Sequence, residues 1–248
     1  MSGAAWWQIF VFVAIPYVAL SVFVVGHIWR YRFDRFGWTS HSSQIYESRW
    51  LRVGAPMFHL GVFLAIMGHA LGILVPESLT EWLGISESEY SLVAVTGGTI
   101  AVVLVVVGLG ILSLRRLADP RVRNATSDSD KFLFPLMWLV ILLGMAETVG
   151  YNLLGPGYNY RPTIAEWYRG IFTFSPDVSG VTTAPILYQV HVSLAWLFIA
   201  AFPFTRLVHA WSAPVWYLTR PYVIYRRRRS TPVPVPGETR GWVTIGRR

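Results

Sequence analysis

Residues 53–75 read VGAPMFHLGVFLAIMGHALGILV, an apolar stretch of 23 residues without any Asp, Glu, Lys or Arg. A helix needs about 20 apolar residues to cross a lipid bilayer, so this stretch predicts a transmembrane span. Further apolar stretches of similar length predict four more spans, at 5–29, 91–114, 132–154 and 184–210. The sequence therefore predicts an all-α integral membrane protein with five transmembrane helices.

The composition of the 248-residue chain excludes several classes of protein. Charged residues make up only 14% of the chain, against about 25% in soluble domains. The chain contains no cysteine, which excludes disulfides, Fe–S clusters, thiolate zinc sites and covalently attached c-type haem within it. A net charge of +8 on so apolar a chain is typical of the cytoplasmic loops of a membrane protein, and we expect no nucleic-acid partner.

Basic residues are divided very unevenly between the predicted loops. Nineteen of the 21 Lys and Arg residues fall on one side of the spans. They lie in segments 30–52, 115–131 and 220–248 and at Arg206. The opposite side carries only Arg161 and Arg169. Because cytoplasmic loops hold the excess of positive charge, we expect the N-terminus outside and the C-terminus inside. No basic residue precedes the first span, which predicts an uncleaved anchor rather than a signal peptide.

Two segments of different character divide the chain. Residues 1–225 contain the five spans and form the predicted membrane domain. Residues 226–248, RRRRSTPVPVPGETRGWVTIGRR, combine an Arg run with alternating Pro and Val. This pattern predicts an extended basic tail on the cytoplasmic side. It either lies on anionic lipid heads or an acidic partner, or is simply disordered.

Four of the six histidines lie inside predicted spans, His59 and His69 in the second and His191 and His209 in the fifth. Ionisable residues within a membrane are costly and point to function. The two spans run in opposite directions, so His59 pairs with His209 near the inner face and His69 with His191 near the outer face. The alternative is that these side chains are buried and form hydrogen bonds between helices. The remaining two, His27 and His41, are interpreted as interfacial and as exposed on the inner loop.

The distance between the two histidines of the second span does not match the distance between the two histidines of the fifth span. A continuous helix separates His191 from His209 by about 27 Å, but His59 from His69 by only about 15 Å. Three explanations of this mismatch are open. The helices are tilted, the fifth span bends at Pro203, or the histidines hold haems that are inclined to the membrane.

Two facing histidines are a suitable pair of axial ligands for haem iron. Without cysteine, two such pairs predict two b-type haems in a helical bundle, and iron with both axial positions filled transfers electrons rather than binding oxygen. Small residues on the second span would let a flat macrocycle approach the backbone: Gly61, Gly68, Ala70 and Gly72. Close helix packing is the alternative interpretation of the same residues.

Two motifs carry a family resemblance: MFHLGVFLAIMGHALGIL at 57–74 and FPFTRLVHAWSAPVWYLTRPY at 202–222. They resemble the gamma subunit of respiratory nitrate reductase, a dihaem cytochrome b. SSQIYESR at 42–49, RRLADPRVRNATS at 115–127 and Gly97–Gly98 fit as well. The resemblance covers about 1–225.

The resemblance implies a function for the chain as a membrane anchor in the cytoplasmic membrane. It implies that His69 and His191 hold the distal haem and that His59 and His209 hold the proximal one. Quinol is then oxidised near the outer face, and electrons pass through both haems to an Fe–S beta subunit on the cytoplasmic face. A molybdenum-containing alpha subunit reduces nitrate to nitrite. The composition, typical of a GC-rich genome, favours menaquinol as the electron donor.

Two further residues are candidates for the site. Glu147 lies inside the fourth span at the depth of His69, where a carboxylate suits a proton acceptor for quinol oxidation; an interfacial helix cap is the alternative. Arg206 lies one turn before His209 and suits a haem propionate, with topological charge as the alternative.

Two rival functions remain open from the sequence. One is a dihaem cytochrome b subunit of another quinone-linked complex, of the heterodisulfide or sulfite-reduction type. The other is a haem-free transporter whose histidines relay protons.

Overall fold

Five long apolar helices make up most of the structure. The computed structural model describes residues 5–212 together with Thr219 and Pro221, and all regular secondary structure in this part of the chain is helical. The helices are α1 (Trp6–Phe33), α2 (Arg49–Leu74), α3 (Glu87–Ala118), α4 (Asp128–Leu153) and α5 (Ile186–Phe204). Each is long and apolar enough to cross a membrane, which confirms the five predicted spans. The predicted tail, 226–248, lies outside the described residues.

Capping side chains define where α3 and α4 begin. At the start of α3, the Ser86 hydroxyl accepts from the Glu89 amide, and the Glu89 carboxylate accepts from the Ser86 amide. At the start of α4, the Ser127 hydroxyl accepts from the Asp130 amide. These bonds satisfy amides that have no partner within the first turn of a helix.

Helices α2 and α3 pack closely along their length because glycines face the neighbouring backbone. A Cβ on Gly61 would lie 2.7 Å from the Val105 amide nitrogen. A Cβ on Gly108 would overlap the Phe58 backbone. Such small residues let membrane helices approach each other, so α2 and α3 form one pair within the bundle.

Helix α5 packs instead against α1 and α4. The connection between α4 and α5 adds two short helices, Glu166–Phe172 and Val178–Thr183, and buries Trp167 against Phe12 of α1, to whose carbonyl the indole N–H donates at 2.9 Å. Following the predicted orientation, we call the end with this connection the outer end. The opposite end, with the loop 34–48, is the inner end.

Arg115 fixes the inner loop between α1 and α2. Its buried guanidinium donates to the Glu47 carboxylate at 2.6 Å, to the Glu47 carbonyl, and to both the hydroxyl and the carbonyl of Ser43. Desolvation opposes ionisation of Glu47, but the Trp50 amide and the Arg115 guanidinium together lower the pKa of this carboxyl. The loop is thus tied to the end of α3.

The apolar stretch 184–210 is not one continuous helix. The α-helix ends at Ala201, a 3₁₀ turn covers Phe202–Phe204, and Thr205 is extended with φ −121° and ψ 177°. A separate 3₁₀ helix, Arg206–Ser212, then carries His209. Pro203 has no amide N–H and its ring disfavours the preceding turn, which explains the break. Because the helix is interrupted, the roughly 27 Å calculated for a continuous helix does not apply to the distance between His191 and His209.

The orientation of the bundle leads to a labelling prediction. Because the chain has no cysteine, Ala125→Cys in the loop between α3 and α4 and Ser88→Cys at the outer end each introduce a single thiol at an exposed position. In intact cells or spheroplasts, an impermeant thiol reagent is expected to label Ser88→Cys and to spare Ala125→Cys until the membrane is opened. The reverse labelling pattern would overturn the predicted topology.

Candidate functional site

The four histidines of the predicted spans meet in two pairs. The ring centroids of His59 and His209 are 6.1 Å apart, and those of His69 and His191 are 6.4 Å apart. A metal ion about 2 Å from a nitrogen of each ring separates two imidazole centroids by roughly 6 Å. Both pairs therefore have the spacing of two ligands on opposite sides of one metal, the first pair toward the inner end and the second toward the outer end.

Three of these rings are oriented by the backbone. The Nδ1 atoms of His59 and His69 lie 2.7 Å from the carbonyls of Ala55 and Ala65, and Nδ1 of His209 lies 2.5 Å from the Arg206 carbonyl. A carbonyl only accepts, so each Nδ1 is assigned the proton and each Nε2 keeps its lone pair. This is the usual arrangement of a metal-binding histidine.

His191 is held differently. Its Nδ1 lies 3.3 Å from Oε1 of Glu147, and the two side chains are only 12% and 15% exposed. The 3.3 Å contact lacks hydrogen-bond geometry, and neither atom has a hydrogen-bond partner within the described part of the chain. The His191 ring also fits against Gly144, where a Cβ would lie 2.8 Å from its Cε1. The structure thus places Glu147 beside the outer pair, in contact with one of its members.

The small residues of α2 do not share one role. Gly61 packs against α3, and a Cβ on Gly72 would overlap the Tyr160 hydroxyl. Gly68 has nothing within 4 Å of the corresponding position. Close contacts with α3 and with Tyr160 thus account for Gly61 and Gly72, whereas Gly68 is exposed and has no neighbour at this position.

Arg206 is directed at a carboxylate of the chain. Its Nε and Nη2 donate to the two oxygens of Asp130, each at 2.5 Å. Asp130 is 1% exposed and also lies 3.7 Å from Arg116. The bidentate pair leaves Nη1 of Arg206 for a further partner.

Three residues near the inner pair were not predicted from the sequence to have a role there: Asp130, Trp211 and, as a hydrogen-bonding group, His27. Asp130 stands in the run SDSD, which reads as a helix start. The indole of Trp211 donates to Nε2 of His27 at 3.1 Å, a contact between residues 184 positions apart. Proximity to His209 was the one available signal for Trp211.

A second polar cluster lies at the outer end, near Gly72. Arg161 is buried, stacks on the Tyr90 ring at 4.0 Å, and donates to the Thr80 hydroxyl at 2.8 Å and to Glu87 at 3.3 Å. Burial raises the pKa of Tyr160, and the neighbouring Tyr90 hydroxyl raises it further. Tyr160 is therefore a neutral hydroxyl throughout the physiological range.

Comparison with known proteins establishes the family. The family model for the nitrate reductase gamma subunit matches residues 8–228. The chain belongs to the nitrate reductase gamma subunit family. It is 41% identical over 228 residues to the nitrate reductase gamma chain of Bacillus subtilis, covering 92% of this chain and 100% of that one. It is 31% identical over 226 residues to the respiratory nitrate reductase 2 gamma chain of Escherichia coli, covering 90% and 98%.

A longer relative matches as well. The nitrate reductase-like protein NarX of Mycobacterium tuberculosis is 41% identical over 243 residues, which cover 98% of this chain but only 36% of that protein. The chain thus spans about a third of the length of NarX. Its family members include nitrate reductase gamma chains, and the chain has five helices long and apolar enough to cross a membrane.

Proposed function

We propose that the chain is the dihaem cytochrome b anchor of a quinol:nitrate oxidoreductase in the cytoplasmic membrane. The observation that carries the proposal is the pair of facing histidine sites, 6.1 and 6.4 Å between ring centroids, within a gamma subunit fold. His59 and His209 would hold the inner haem, and His69 and His191 the outer one. Haem held by these two pairs of imidazoles would supply one-electron transfer.

The donor set of each site fits haem. Three of the four imidazoles are oriented through Nδ1 by backbone carbonyls and the fourth lies beside Glu147, so all four leave Nε2 for iron. Gly68 provides open space on α2 for a planar group. Arg206, with Nη1 outside its Asp130 pair, would bind a propionate of the inner haem.

The two ends of the bundle have different tasks in this proposal. Quinol, with menaquinol favoured, binds at the outer end, and electrons leave at the inner end. An Fe–S beta subunit docks there and passes them to a molybdenum alpha subunit that reduces nitrate. Membrane lipids cover the apolar faces of the helices.

A haem assay tests the proposal. Membranes or purified complex containing the chain are expected to show a reduced b-type spectrum, with two haems per chain by pyridine haemochrome. A chain without haem would contradict the proposal and favour a transporter whose histidines relay protons. Two haems with co-purifying subunits that reduce heterodisulfide or sulfite, but not nitrate, would assign the chain to the other quinone-linked complexes.

We also propose that Glu147 accepts a proton released when quinol is oxidised. Its carboxylate is partly buried and contacts His191 of the outer pair, and a positioned carboxylate is a suitable general base.

Replacing this acid by its amide tests the role. Glu147→Gln is expected to slow quinol oxidation by about 10² to 10⁴-fold, the typical contribution of a general base, with both haems retained. Glu166→Gln, an exposed acid at the outer end, is the matched control and is expected to keep the wild-type rate. Equal rates for the two variants, measured by stopped flow across pH, would remove Glu147 from the proton path.

A further inference from the structure

The segment that carries His209 is unusually dependent on its surroundings. The other three histidines of the two pairs lie in continuous helices, whereas His209 lies in the seven-residue 3₁₀ helix Arg206–Ser212. This helix is separated from α5 by the extended residue Thr205. Runs of 3₁₀ helix longer than about four residues are uncommon because their hydrogen bonds are poor. Side chains from outside the segment must therefore fix its position.

The first of these ties joins the start of the segment to α4. Arg206 forms its bidentate pair with Asp130, both bonds at 2.5 Å, and the carboxylate is 1% exposed. Arg116, which lies over the Phe134 ring at 4.0 Å, adds a second cation 3.7 Å from the same carboxylate. Breaking a buried pair leaves an uncompensated charge, so this tie resists displacement.

The second tie joins the end of the segment to α1. The Trp211 indole donates to Nε2 of His27 at 3.1 Å, and Nδ1 of His27 donates to the Phe23 carbonyl at 2.7 Å. The two bonds together require His27 to be neutral with its proton on Nδ1. The rings of Phe202 and Trp38 pack at 5.7 and 5.9 Å from the His27 ring and hold it in place.

We propose that Asp130 and His27 are positioning residues of the inner metal site, which set His209 opposite His59. This inference rests on the proposed function, since it assumes that His209 is a haem ligand. Asp130 is connected to the ring of His209 through a single residue, Arg206. The Arg206 side chain donates to Asp130, and the Arg206 backbone carbonyl accepts from Nδ1 of His209. The His27 tie holds the other side of His209, two residues further along the chain.

The two ties differ from a general contribution to stability because they act on one site only. His69 and His191 lie in α2 and α5, outside the tied segment. Loss of either tie is therefore expected to change the inner haem and to leave the outer haem as an internal reference in the same molecule.

The test uses the full chain with its partner subunits in native membranes. Asp130→Asn removes the charge of the first tie, and Asp128→Asn is its matched control, since Asp128 lies on the same turn of α4 with a side chain 97% exposed. His27→Phe keeps the ring but removes the acceptor for Trp211. The readouts are haem content per chain, the low-spin EPR signal of each haem and its midpoint potential.

Asp130→Asn is expected to weaken inner haem binding by about 10 to 100-fold, the typical effect of losing a group that orients a metal ligand. The signal of the outer haem is expected to stay unchanged. His27→Phe is expected to retain the inner haem with a shifted EPR signal. Asp128→Asn is expected to match the wild type. If Asp130→Asn does not accumulate, Asp130→Glu, which keeps the charge but moves the carboxylate out of its bidentate geometry with Arg206, is expected to shift the inner signal in the same direction.

The outcomes separate this inference from the proposed function. A wild-type chain without haem would end both. Two haems in the wild type, with an unaltered inner signal in the Asp130 and His27 variants, would overturn the positioning role alone. Equal loss of both haems in the two Asp130 variants would also overturn it, because that result indicates a general effect on folding.

Discussion

Replacement of His209 by alanine is expected to stop quinol-driven nitrate reduction while leaving the outer haem in place. In the proposed function, the substitution removes one of the two ligands of the inner haem, so the last carrier before the soluble subunits would be lost. Quinol-driven nitrite formation is expected to fall to the level of membranes that lack the chain. An artificial donor that feeds the soluble subunits directly is expected to support nitrate reduction at the wild-type rate.

The His209→Ala comparison requires assembled complexes. Removing an imidazole leaves a cavity, and some loss of assembly is expected. Rates are therefore normalised to the soluble subunits that remain anchored. Quinol-driven nitrate reduction close to the wild-type rate in such membranes would show that electrons do not pass through the inner site.

Replacement of His69 by alanine is expected to block electron entry itself. The outer haem is lost, so quinol has no acceptor at its own end of the bundle, and nitrate reduction with quinol ceases. His41→Ala is the control, because His41 is exposed on the inner loop and belongs to neither pair. It is expected to retain two haems and the wild-type rate, and a His69→Ala chain with the same properties would contradict the assignment of the outer site.

The five spans and the two histidine pairs were predictable from the sequence. They depend only on the length of the apolar stretches and on the depth of each histidine within its span. Apolar stretches of transmembrane length predict the spans, and the opposite directions of α2 and α5 predict which histidines face each other. The structure brings together the same two pairs, His59 with His209 and His69 with His191. Counting residues along a helix is sufficient for this part of the site.

The break before His209 was not predictable by the same counting. A proline within a membrane span is often tolerated, so Pro203 alone does not distinguish a bend from an interruption. At the extended Thr205 the helix is interrupted, so a rise of about 1.5 Å per residue no longer gives the distance between His191 and His209. The mismatch between the two spacings was the available signal, and it identified a problem without choosing among tilt, bend and break.

The groups around the ligands depend on contacts distant in sequence. Asp130 and Arg206 are 76 positions apart, and His27 and Trp211 are 184 apart. No local pattern links such residues in a single sequence. The same limit applied to Gly61 and Gly68, since only the neighbouring helix distinguishes a packing contact from open space.

In the proposed function electrons run from the outer haem to the inner haem, and quinol-driven haem reduction measures this order. Anaerobic membranes of His209→Ala and His69→Ala, each retaining one haem, are mixed with quinol and followed at the reduced alpha band. The haem remaining in His209→Ala is expected to be reduced, and the haem remaining in His69→Ala is expected to stay oxidised. Reduction in His69→Ala with none in His209→Ala would contradict this order, and would place the quinol site at the inner end.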